Sequence, residues 1–154
     1  MSGAVFVGVS ALLHLALGRW TPSPWFMPDL TVTSMVLAIL LLPGRPFSPA
    51  AAGGLAVMLT AVHHPLLMGA TYAAAGGLIK LGADQWDLTP PALQHAAVLA
   101  AQALLLAVAF VLSVPLTWDI CLLAAAHLLI TAMGVPLVRS FLMMAIPSAR
   151  TESR

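Results

Sequence analysis

Polar positions cluster at a few points in this chain and leave long apolar runs between them. Residues 46–79 contain no Lys, Arg, Asp or Glu, and neither do residues 88–118. The apolar runs do not alternate with polar residues as lumen-lined strands would, and hydrocarbon leaves only helices or closed barrels able to satisfy the backbone. The pattern predicts helices, and the breaks between them divide the chain into six.

The first segment covers 2–17 and stops at Gly18-Arg19-Trp20, a helix end followed by interfacial Arg and Trp. Residues 21–28 hold three prolines and Trp25 and form a loop. Asp29 precedes the next apolar run and reads as the N-cap of a second helix ending at Leu42. After Pro43-Gly44-Arg45-Pro46, Ser48-Pro49 reads as a cap and first helical residue of a third segment ending at Val62. His63-His64-Pro65 makes the next turn. A fourth helix over 66–81 is expected to give way to a polar loop, Gly82-Ala83-Asp84-Gln85-Trp86-Asp87. Thr89-Pro90-Pro91 opens a fifth, reaching Val114. The sixth covers 119–138, with a short apolar extension to Ile146 and a polar tail at 147–154.

Composition names the solvent. With 61% hydrophobic and 7% charged residues, too little polar surface exists to clothe a water-soluble globule of 154 residues. A charge costs about 2.5–3.5 kcal/mol at the centre of a membrane helix on insertion scales, so charge-free stretches of this length are what a bilayer selects. The expected fold is all-α: one polytopic domain over 1–146, a compact bundle of six transmembrane helices. The second, third and fourth segments fall short of the roughly 20 residues that cross a hydrocarbon layer, so they need local thinning or partner proteins. If all six cross, Arg45, Lys80, Arg139, Arg150 and Arg154 share one side and Arg19 alone takes the other. The positive-inside rule then puts both termini in the cytoplasm.

Charge adds little more. A net charge of +1 without a basic cluster gives no argument for nucleic acid. Cys121 is the only cysteine, which excludes an intrachain disulfide. No nucleophile elbow, HExxH or phosphate loop occurs, and no loop is long enough for a soluble catalytic domain, so the chain reads as no enzyme, with no cofactor and no metal site.

Several polar and small residues stand out. Ala-Ala-Ala-Gly-Gly-Leu occurs at 50–55 and again at 73–78, either side of the His63-His64-Pro65 turn. Folding the hairpin there brings Gly53 and Gly54 to nearly the depth of Gly76 and Gly77, and small residues let helices approach closely in lipid. Gln102 and His127 fall near the midpoints of the fifth and sixth helices, each needing a partner away from water. Bonded together they are interhelical glue worth about 0.6–1.7 kcal/mol. A proton relay would need an acidic residue at that depth, and every carboxylate lies at a predicted boundary. His63 and His64 read as interfacial hydrogen-bonding residues rather than a metal pair, with His14 at similar depth. Gln94 and His95 read as headgroup-facing.

The order of these features resembles the rod shape-determining protein MreD family. The resemblance runs through Pro28-Asp29-Leu30, Leu42-Pro43-Gly44-Arg45, Gly53-Gly54, Pro65-Leu66-Leu67-Met68-Gly69, Ala92-Leu93-Gln94-His95-Ala96 and the stretch 131–139. Where family members commonly carry an acidic residue in the third segment, this chain has Val57-Met58-Leu59-Thr60. The resemblance implies a non-enzymatic scaffold subunit of the cell-elongation machinery in the bacterial inner membrane. Its implied partners are an MreC-like bitopic protein, the MreB filament, and the wall-synthesising glycosyltransferase and transpeptidase. Pro28, Asp29, Arg45 and Arg139 are the candidate partner contacts, with helix capping and headgroup anchoring as their alternative roles. The competing reading is a substrate-binding membrane subunit of an energy-coupling-factor vitamin or metal importer, a compact six-helix fold that the MreD family resembles. It needs an outward pocket, for which His14, Trp25, Asp29, His63 and His64 are available.

Overall fold

The computed structural model describes residues 2–21, 23–42, 47–61, 64–113 and 117–145. Among these the secondary structure is entirely helical: α1 Gly3–Gly18, α2 Leu30–Leu41, α3 Phe47–Thr60, α4 Pro65–Gln85, α5 Pro91–Ser113 and α6 Trp118–Ala145, with a single 3-10 turn at Pro24–Phe26. Three helices, α4, α5 and α6, are long and apolar enough to cross a membrane. The other three are shorter apolar helices of 16, 12 and 14 residues.

The shortest helix is the centre. α2 packs against all five others, which surround it in the order α1, α3, α4, α5, α6. Residues 31–39 and Leu41 are buried, including Thr33 and Ser34. Both hydroxyls are satisfied within their own helix, Thr33 Oγ1 on the Asp29 carbonyl at 2.7 Å and Ser34 Oγ on that of Thr31 at 3.1 Å. A helix apolar on every side is one that neighbours enclose completely. The core continues from Met35, Val36 and Leu37 to Phe6 and Val7 of α1, Val98 of α5, and Val135 and Leu142 of α6.

α3 and α4 form a tight antiparallel hairpin. A Cβ placed on Gly54 would lie 2.6 Å from the Gly69 carbonyl oxygen, and one on Gly69 2.7 Å from that of Gly54. A Cβ on Gly76 would meet that of Ala50 at 2.6 Å. The repeated glycines therefore do not face one another. Gly54 closes on Gly69 and Ala73, Gly76 closes on Ala50, Gly53 packs on Met35 of α2, and Gly77 has open space beside it among the described residues.

Other boundaries also differ from the sequence reading. α4 runs on through Gln85, so Asp84 lies in the helix rather than in a loop and pairs with Lys80 one turn earlier. Ser48 lies inside the first turn of α3 instead of capping it. The expected extension after Val138 is part of α6, which continues past Pro136 to Ala145. Proline removes one backbone donor, but apolar surroundings and packed neighbours let a helix continue through it. Arg45, His63 and the tail at 147–154 lie outside the described residues.

A polar cluster at the head of the central helix

The head of α2 lies inside the bundle. The Asp29 amide donates to Thr131 Oγ1 at 3.2 Å, and a Cβ on Gly134 would lie 2.9 Å from that of Pro28. Thr131 and Gly134 stand 13 and 16 residues into the 28-residue α6, so α2 begins beside that helix's midsection. Between α1 and this point the chain must descend along α6, and residues 23–28 do so through the 3-10 turn, which packs on α6.

Asp29 is only 7% exposed. Its Oδ1 accepts from the amides of Thr31 and Val32, each at 3.0 Å, and its Oδ2 accepts from the Tyr72 hydroxyl of α4 at 2.9 Å. The capping carboxylate thus answers two of the donors that a helix start leaves free and sits where the helix dipole favours negative charge. The next amide, of Leu30, donates to Nδ1 of the half-buried His14 at 3.4 Å.

A second group of contacts lies one turn nearer the start of α6. His127 and Gln102, both buried, meet through Nε2 atoms 3.0 Å apart, and His127 Nδ1 is 3.3 Å from the Trp25 carbonyl oxygen. The Trp25 ring stands edge-on to the imidazole at a centroid distance of 6.0 Å. A carbonyl can only accept, so Nδ1 carries the hydrogen and Nε2 accepts from the Gln102 amide. Gln102 Oε1 is buried with no hydrogen-bond partner among the described residues.

The structure relocates several residues singled out from sequence. Asp29 does sit at a helix boundary, but that boundary is internal; its carboxylate is turned into the bundle and engaged there, so the monomer does not offer it as a surface contact. Pro28 is half-buried against Gly134. Arg139 is half-buried on α6, its Nε enclosed without a partner among the described residues. Gln94 is fully buried rather than headgroup-facing, its Nε2 donating to the Thr89 carbonyl at 2.6 Å. His95 turns back onto the Pro91 carbonyl. His64 is exposed and takes a left-handed conformation, φ 49°, ahead of Pro65.

Tyr72 escaped the sequence reading, and Gly69, Thr131 and Gly134 entered it only within the stretches that carry the resemblance, with no role of their own. Tyr72 carried a signal: it is the chain's only tyrosine, in a charge-free stretch, and a buried phenol seeks a polar partner. Gly134 gave none, since only the descent of residues 23–28 makes its missing side chain matter. Comparison with protein-family models, curated proteins and solved structures finds no match.

Proposed function

We propose that this chain is a non-enzymatic membrane scaffold of the bacterial cell-elongation machinery, with all six helices embedded in the inner membrane and both termini in the cytoplasm. One observation carries the reading: most polar side chains of the interior are engaged within the bundle, while the outward faces of the surrounding helices carry large exposed apolar side chains. Asp29, Tyr72, Thr131, Gln102 and His127 form bonds within the bundle. Outside, Leu59, Val111, Met133 and Leu137 are each more than 70% exposed, and the groove between α4 and α5 is lined by residues such as Leu78, Ala96, Ala100 and Leu104. Such faces suit lipid and other membrane helices, and small residues in a groove allow close helix approach.

The short helices fit this picture. At 1.5 Å per residue α2 spans about 18 Å, well under the hydrocarbon thickness of about 30 Å. Residues 23–28 complete that crossing on the outer side, irregular backbone being tolerated where protein encloses it. The order of motifs shared with the MreD family supplies the cell-elongation assignment, with an MreC-like protein, the MreB filament and the wall synthase as partners.

The importer-subunit reading keeps one supporting observation: polar side chains from α1, α2, α4, α5 and α6 converge near the head of α2. Pull-down of the tagged chain from native membranes in mild detergent separates the two. Stoichiometric recovery of a bitopic protein and wall-synthesis enzymes supports the scaffold. Recovery of an ATPase-linked transporter contradicts it.

A further inference from the structure

We propose that the groove between α5 and α6 receives a membrane helix of another protein, one that donates a hydrogen bond from a Ser, Thr, Asn or Gln side chain to the Ala132 carbonyl. The proposal rests on the scaffold reading only in taking the occupant to be another protein's helix. Pro136 lies inside α6 and has no N–H, so the carbonyl four residues back, on Ala132, lacks the donor that an unbroken helix supplies. No side chain among the described residues takes its place: the bonds made by Thr131 and His127, the polar side chains just before it on α6, go to Asp29, Gln102 and Trp25.

The position of this oxygen decides what can cover it. Ala132 lines the groove together with Leu99, Ala100 and Ala103 of α5 and Ala125 and Leu129 of α6. Pro136, one turn on and about 40° further round the helix, is exposed. A helical carbonyl points along the axis toward the residue four ahead, which places the oxygen between a groove-lining residue and an exposed one. Ala132 also stands 14 residues into the 28-residue α6, at its middle. With α6 across the bilayer, neither water nor a headgroup reaches that depth, and an unserved backbone group is costly there. Acyl chains offer no donor. A second helix does, and the alanines of the groove let one approach closely enough for a hydroxyl or amide side chain to reach across. Behind the groove the Gln102–His127 bond already joins α5 to α6, so the guest meets a preformed surface.

A photo-crosslinking side chain placed at Leu129, 68% exposed beside the groove, and for comparison at Leu59 on α3, tests this in the full chain in native membranes. Leu129 is expected to capture one protein through a transmembrane segment that carries a hydroxyl or amide side chain. Pro136→Ala returns an N–H to the Ala132 carbonyl and should reduce that capture about threefold or more, the worth of one interhelical hydrogen bond, while the thermal stability of the isolated chain holds or rises. Replacing the donor of the captured helix by Ala should reduce capture by the same factor, and no further in the Pro136→Ala background. Capture of lipid alone, of a second copy of this chain, or of a segment without such a donor overturns the proposal. So does capture that Pro136→Ala leaves unchanged; should that variant fail to fold, the donor substitution decides in its place. The scaffold reading is judged separately, by which protein is captured. Wall-synthesis proteins captured from Leu59 but not from Leu129 would keep that reading and overturn this one, and a donor-bearing helix of an unrelated protein at Leu129 would do the reverse.

Discussion

The Tyr72 hydroxyl donates to Asp29 Oδ2 across 2.9 Å and so ties the middle of α4 to the head of the central helix. Both groups are buried, so removing either strands the other. Tyr72→Phe leaves a buried carboxylate oxygen short of a donor and is expected to cost about 1–3 kcal/mol. Asp29→Ala also removes a helix cap, a further loss of about 0.5–2 kcal/mol. Thermal denaturation in detergent should rank parent above Tyr72→Phe and Tyr72→Phe above Asp29→Ala; equal stability of all three contradicts the network.

The glycines of the α3–α4 hairpin are expected to divide sharply. Gly69→Ala forces a methyl against the Gly54 carbonyl, where backbone has to move, and should lower thermal stability. Gly77→Ala meets open space and, through better helix propensity, should be neutral or stabilising by about 0.5–1 kcal/mol. A tolerated Gly69→Ala would show that the hairpin is packed less closely than described.

Gly134→Ala places a methyl 2.9 Å from Pro28 Cβ. It should displace residues 23–28 from α6 and raise the acrylamide accessibility of Trp25 while leaving helix content unchanged by circular dichroism. Unaltered accessibility would mean that α6 gives way instead.

Outside the helices, Asp87 titrates predictably. Donation from the Thr89 hydroxyl, and secondarily from the Thr89 amide, holds its carboxyl below the ordinary value. Because the folded state binds this proton more weakly than the unfolded chain, the contribution of the turn is present above the ordinary carboxylate range and is lost as pH falls through the lowered value. Thr89→Val removes the larger cause, so the Asp87 carboxyl carbon followed by NMR should titrate at higher pH than in the parent. An unchanged midpoint contradicts that assignment.

Helix content was legible in the sequence because hydrophobic runs and Pro, Gly and Asp punctuation act locally. The six segments coincide with α1 to α6, and errors collect where a local signal is ambiguous: Gly82 and Asp84 suggest a loop, yet the Lys80–Asp84 pair lies along one helix face. Gln102 and His127 were legible as mutually needy groups at matching depths. The internal position of Asp29 was not. It depends on α2 starting beside the middle of α6, and nothing within residues 28–42 reports how far the preceding loop descends. For the same reason Thr131 and Gly134, which receive that loop, entered the sequence reading only as part of the stretch 131–139, with no signal of what they touch.

The crossing number tests the account most directly. Reporters active only in the cytoplasm or only outside it, fused in turn to each terminus of the full chain in bacterial cells, are predicted to place both ends in the cytoplasm. Termini on opposite faces would mean an odd number of crossings, and the six-helix scaffold with its internally capped α2 would be wrong.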